Sequence, residues 1–173
     1  MKARLVAGGD GQDKTIYENL SAPTVSTDTV MCVLAIAAVQ RGKIATVDIT
    51  GAYLECDMPD GDEVLMELDA LTTQILSELD PTATPFVNDK GKLVVRLNKA
   101  LYGCVQSARL WYEKLRATLC ADGFEVNDYD QCAFNKMVDG NQITVVFHVD
   151  DLLITCVSDS VIDGVIAHLK NSF

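Results

Sequence analysis

Residues 141 to 157 read Asn141-Gln142-Ile143-Thr144-Val145-Val146-Phe147-His148-Val149-Asp150-Asp151-Leu152-Leu153-Ile154-Thr155-Cys156-Val157. Two apolar, β-branched runs, Ile143 to Val149 and Leu152 to Val157, flank a pair of acids, and short runs of this kind bounded by turn formers read as strands. Just upstream, Cys132 to Val138 is a third run, and Asp139-Gly140 is a hairpin dipeptide. Two consecutive antiparallel hairpins are therefore predicted. Adjacent like charges between apolar strands are unfavourable unless a cation or ligand neutralises them. Successive strand residues point to opposite faces, so Asp150 and Asp151 share a site only if they occupy the tight turn.

Working outward, Ser160 to about Lys170 carries Val161, Ile162, Val165, Ile166 and Leu169 at helical spacing, with His168 beside that stripe. The segment from about Gln106 to Ala121 is predicted helical, with Leu110, Leu115 and Leu119 near one face and Gly123 as its stop. Ile44 to Ile49 is a predicted strand in which Asp48 stands where the core pattern calls for an apolar residue. Before it, Ser26-Thr27-Asp28 supplies N-cap candidates for a Val30-to-Gln40 helix, read as buried and stopped at Gly42. Val64 to Leu68 and Leu93 to Leu97 read as strands, Leu71 to Leu79 as a short helix, and Thr82 to Gly91 as loop. Arg4 to Ala7 is strand-like. Gly8-Gly9-Asp10-Gly11 opens no clear helix, so it is not a phosphate-binding fingerprint. Strands in hairpins with flanking helices make an α+β chain.

Composition narrows the class. A chain of 173 residues that is 49% hydrophobic has ample material for a core. Its longest apolar stretch, Val30 to Val39, is too short to span a bilayer, and no apolar leader opens the chain, so it reads as soluble and intracellular with no membrane partner. The six cysteines form no C-x-x-C pair and only two histidines accompany them, which argues against a structural zinc site and points to free thiols in a reducing compartment. The net charge of −11, from 14 basic and 25 acidic residues, is the wrong sign for a module that grips phosphates unaided.

A third carboxylate, Asp48, from a neighbouring strand end would give Asp150 and Asp151 the oxygen-rich setting that Mg²⁺ prefers. Two such ions about 3.5 to 4 Å apart serve in-line phosphoryl transfer. The plainer alternatives are a turn-forming Asp48 and a solvated pair of acids in a loop. A phosphoreceiver domain also combines paired acids with a lone strand-end Asp, but there the pair comes first in the chain; here it comes last.

Further motifs agree in order. Lys2-Ala3-Arg4-Leu5-Val6-Ala7 resembles the K-A-R-L-V-A that opens the fingers segment of copia-type reverse transcriptases, and Tyr17 to Val25 resembles their Y-x-x-x-x-S-P-V-V stretch. Val47 to Leu54 resembles the D-V-x-x-A-F/Y-L palm motif, Leu101 to Tyr112 the S-L-Y-G-L-K-Q-A-P-R-x-W-Y motif, and Phe147 to Asp151 the Y-V-D-D metal turn.

The resemblance implies a right-hand polymerase palm, an antiparallel sheet flanked by helices, with part of the fingers and with the thumb absent. About 1–45 and 60–105 would be fingers and connecting segments, and about 46–59 and 106–173 palm. It implies RNA-directed DNA polymerase activity with Asp48, Asp150 and Asp151 holding two Mg²⁺ ions, Mn²⁺ being a substitute. Lys2 and Arg4 would face the incoming triphosphate, Tyr53 would lie under the sugar and select deoxynucleotides, and Tyr102 and Gly103 would line the nucleotide pocket. Trp111 and Tyr112 are read as packing their helix against the sheet. The implied partners are dNTPs, a primed RNA or DNA template, and the rest of a Pol polyprotein with thumb, RNase H and integrase, in the cytoplasm or a virus-like particle. His148, Val105 and Ala108 depart from the usual Tyr, Lys and Pro. An inactive or domesticated remnant acting as an interaction module is the other reading.

Overall fold

The computed structural model describes residues 5–17 and 20–173. Its strands are β1 (Lys43–Asp48), β2 (Leu65–Leu68), β3 (Leu93–Arg96), β4 (Glu125–Val126), β5 (Ala133–Val138), β6 (Asn141–His148) and β7 (Asp151–Cys156). The α-helices are α1 (Thr27–Val39), α2 (Ala70–Leu79), α3 (Ser107–Ala121) and α4 (Asp159–Ser172). One sheet runs in the order β1-β7-β6-β5-β4, and β2 pairs with β3 in a second. Every pair is antiparallel, so the fold is α+β as the hairpin pattern predicts. A receiver domain is built on a parallel sheet, and that alternative falls.

The pleat of the large sheet sorts its residues. Val47, Leu152, Ile154, Ile143, Val145, Phe147 and Phe134 face one side, where they meet Trp111, Tyr112, Leu115 and Leu119 of α3 and Ile162, Val165 and Leu169 of α4. Burying a side chain such as Leu115 or Leu119, neither of which retains any exposure, contributes roughly 1.5–3 kcal/mol. Trp111 and Tyr112 thus pack α3 onto the sheet as expected. The other face carries Thr46, Asp48, Thr144, Val146, His148, Asp151, Leu153 and Thr155, and α1 lies across part of it above a groove of about 510 Å³.

Local chemistry explains the helix ends. The Ser26 hydroxyl accepts from Thr29 N–H at 3.0 Å and caps α1. After α3, Gly123 adopts φ +86°, and the amides of Gly123 and Phe124 bond back to Cys120 and Leu119, closing a Schellman motif at the predicted stop. The end of α1 differs: Arg41, not Gly42, takes the left-handed conformation (φ +52°), while Gly42 N–H reaches the Ala37 carbonyl at 2.7 Å.

Other expectations are corrected. Helix α1 is not buried: Ala37 is its sole buried residue, and Met31, Ile36 and Val39 are exposed. An all-round apolar helix can be enclosed on every side, but here a sheet flanks only one. Leu5 to Ala7 form no strand, a short 3₁₀ helix (Pro81–Phe86) occupies the expected loop, and another (Ala52–Glu55) follows Gly51 at φ +75°. No helix among the described residues is long and apolar enough to cross a membrane.

Candidate active site

The β6–β7 hairpin is closed by two residues, Val149 and Asp150, with His148 and Asp151 as the flanking pair. The turn therefore begins one residue earlier than the acid pair suggests, and Asp151 is the first residue of β7. Val149 has φ +59°, and a positive φ at only the first central position is the sign pattern of a type II′ turn, whose twist suits a hairpin. For a β-branched residue that conformation is strained by roughly 1–3 kcal/mol. Two hydrogen bonds hold the turn: the Trp111 indole Nε1–H donates to the Val149 carbonyl at 2.7 Å, and Ile49 N–H donates to the Asp150 carbonyl at 3.1 Å.

Asp48 ends β1 directly across from Asp151. In-register residues project to one face, so the two carboxylates neighbour each other, with His148 on the far flank of Asp151. All three are exposed and line a groove of about 460 Å³ whose apolar wall includes Val25, Val30 and Leu153. Asp150 is half-buried, and its Oδ2 accepts from the Tyr102 hydroxyl at 3.1 Å. The Tyr102 ring lies 4.4 Å, centroid to centroid, from that of Tyr53. Burial raises the Tyr53 phenol above its ordinary pKa, and the Asp150 charge adds to the effect.

Among the described residues, no three His, Cys, Asp or Glu side chains are gathered closely enough to hold a metal ion. The donor types are nevertheless those a hard divalent cation prefers: Asp48 and Asp151 line the groove, which has no sulfur donor among its lining residues, and Asp150 lies in the adjoining turn with its Oδ2 bound by Tyr102.

Tyr102 and Gly103 are fixed from the N-terminal side. Ala7 N–H donates to the Tyr102 carbonyl at 2.7 Å. Gly103 (φ +93°) passes so close that a Cβ there would lie 2.0 Å from the Ala7 carbonyl oxygen, and a Cβ on Gly9 would lie 1.8 Å from that of Gly103. Both glycines are demanded by the crossing. Lys2 and Arg4 lie outside the described residues.

Sequence reasoning missed Gln106. It is buried, and its side-chain amide donates to Tyr17 Oη and Asp62 Oδ2, each at 3.0 Å, while its carbonyl accepts from Gln12 Nε2 at 3.2 Å. Burial, followed by a hydrogen bond to Asp62 and that residue's charge, pushes the Tyr17 phenol up to about 12. A glutamine at the start of an amphipathic helix was the available signal. It also missed the bond from Trp111 to Val149, for which the sequence offers none.

The profile of the family described as "Reverse transcriptase (RNA-dependent DNA polymerase)" matches residues 1–173. The chain is 29% identical over 174 aligned positions to the "Retrovirus-related Pol polyprotein from transposon TNT 1-94" of Nicotiana tabacum, covering 99% of this chain and 12% of that protein. It is likewise 29% identical to the Pol polyprotein from transposon RE1 of Arabidopsis thaliana, covering 99% of this chain and 11% of the relative. The corresponding protein from transposon RE2 of the same plant is 31% identical over 156 positions, which are 89% of this chain and 10% of the relative. The chain thus spans about a tenth of the length of these relatives. No solved structure matches it significantly.

Proposed function

This chain belongs to the reverse transcriptase (RNA-dependent DNA polymerase) family, and from that premise we propose that it forms the palm and part of the fingers of a copia-type RNA-directed DNA polymerase. The observation that carries the proposal is the strand register that sets Asp48 against Asp151, with Asp150 in the adjoining turn. The large sheet with α3 and α4 would be the palm (about 46–59 and 106–173), and the remainder (about 1–45 and 60–105) fingers and connecting segments.

Asp48, Asp150 and Asp151 would hold two Mg²⁺ ions, or Mn²⁺ in their place. When bound, such ions lower the pKa of a primer 3′-hydroxyl and offset charge on the pyrophosphate leaving group. The chain's own residues position the reactants. Tyr53 and Tyr102 present a pair of tilted, touching rings beside Asp150, and in this reading Tyr53 supports the deoxyribose and leaves no room for a 2′-hydroxyl. Gly103, whose Cβ side is filled by the Ala7 carbonyl, would line the nucleotide pocket through its backbone, and the resemblance assigns Lys2 and Arg4 to the triphosphate. The partners are dNTPs, a primed RNA or DNA template and the remaining Pol regions, thumb, RNase H and integrase, in the cytoplasm or a virus-like particle.

Two observations favour the second reading, a catalytically silent remnant serving as an interaction module. The charge of −11 repels a phosphate backbone, and Tyr102 engages the Asp150 carboxylate. Primer extension on poly(rA)/oligo(dT) with Mg²⁺ or Mn²⁺ separates them, using the tobacco relative with this chain grafted in place of its matching residues. Extension that Asp150→Asn abolishes supports the polymerase reading. An inert graft, or one indifferent to Asp150→Asn, supports the remnant.

A further inference from the structure

We infer that Trp111 is a positioning residue for the acid turn: its indole N–H holds the Val149 carbonyl and so enforces the left-handed conformation of the turn that carries Asp150. The inference rests on the reading of those acids as cation ligands and adds a residue that never touches the cation.

A two-residue hairpin with positive φ at its first position ordinarily employs glycine there. This chain places valine, whose branched Cβ resists that backbone. Something outside the turn must therefore define it. The Val149 carbonyl receives the Trp111 Nε1–H at 2.7 Å, the short end of the N–H···O range. Trp111 is 1% exposed on α3, so its donor cannot swing to water.

The indole is in turn held. Phe173 packs on it with ring centroids 5.1 Å apart. The Lys114 ammonium lies 5.9 Å from the Phe173 ring and donates to the Glu55 carbonyl, at the end of the 3₁₀ turn that bears Tyr53. The position of the indole donor is thereby tied to the segment that follows Asp48. A phenylalanine or leucine at 111 would fill much of the same core volume but could not donate. The need for tryptophan is the need for that N–H.

The test is calorimetric titration of Mn²⁺ into the 173-residue chain and its Trp111→Phe, Val149→Gly and doubly substituted forms. Trp111→Phe is expected to weaken Mn²⁺ binding by about 10- to 100-fold, as loss of a residue supporting a metal ligand does. In the Val149→Gly background, where the turn no longer needs enforcement, the same substitution should change affinity by less than about threefold, because glycine adopts positive φ freely. Equal losses in both backgrounds, or no loss in either, overturn the inference and leave Trp111 a core residue.

Trp111 is the chain's only tryptophan, so the unaltered protein supplies a second readout even if Trp111→Phe does not fold. Mn²⁺ should quench its emission, and Asp150→Asn should remove the quenching; emission indifferent to saturating Mn²⁺ counts against the inference. Absence of saturable Mn²⁺ binding, or binding unchanged by Asp150→Asn, overturns the carboxylate reading and this inference with it.

Discussion

Replacing Gly103 by alanine tests how the N-terminal segment is fixed to the acid site. The new Cβ would stand 2.0 Å from the Ala7 carbonyl oxygen, at a residue with φ +93°. An L side chain forced to positive φ costs roughly 1–2 kcal/mol. Separation of the crossing segments also loses the 2.7 Å bond from Ala7 N–H to the Tyr102 carbonyl, worth about 1 kcal/mol. The sum, about 2–3 kcal/mol, corresponds for a chain of this size to a fall in Tm of roughly 5–10 °C. Circular dichroism melting reads this directly. Gly9→Ala, whose Cβ would meet the Gly103 carbonyl oxygen at 1.8 Å, should fall similarly, and the double substitution should be less than additive because both open one crossing. Gly11→Ala, with no atom within 4 Å of its Cβ, is the control and should melt within a degree or two of the parent. If Gly103→Ala melts with that control, the crossing is not what holds Tyr102, and the argument for its position fails.

In the native protein the exposed thiols of Cys32 and Cys120 should react with a thiol reagent first, because burial raises Cys56 to about 11, Cys132 to about 12 and Cys104 above its ordinary value; titration before and after denaturant counts the two classes. Leu115→Ala should destabilise by roughly 2–5 kcal/mol by opening a cavity between α3 and the sheet, measured by urea unfolding. Burial opposes ionisation of Asp130, but hydrogen bonds that include the Ser26 and Cys132 amides outweigh it and lower its pKa. Its folded pKa lies below the unfolded one, so its stabilisation is complete above the unfolded value near 3.8 and disappears as pH falls through the folded value. Asp130→Asn should accordingly flatten stability against pH in that acid range, and an unchanged acid limb would refute the assignment.

The parts of the fold legible in the sequence are those decided by neighbours in the chain. β-Branched runs broken by Asp139-Gly140 and by the acid pair gave the hairpins, and Gly123 marked a helix end because glycine alone adopts that backbone cheaply. The conformation of Val149 was not legible, since a donor 38 residues earlier enforces it against the local preference of valine. The crossing of Gly9 and Gly103 was hidden for the same reason: each glycine looks like an ordinary loop residue until the other is placed against it. The exposure of α1 escaped because apolar content records what a helix can bury, not how many surfaces surround it. At the candidate site, the acid pair and Asp48 stood out as charges in apolar runs, whereas the division between the groove acids and Tyr102-bound Asp150 depends on pleat and turn.

The pairing of Asp48 with Asp151 also limits how a lineage carrying this chain can change in length. Because side chains alternate along β1, gain or loss of a single residue between Gly42 and Asp48 would exchange the two faces, driving the acid toward α3 and turning Val47 to the groove. A two-residue change preserves the facing and only shortens or lengthens the approach. Deletions and insertions in this strand should therefore survive in pairs, whereas the exposed turn at Asp139-Gly140 is open to odd and even changes alike.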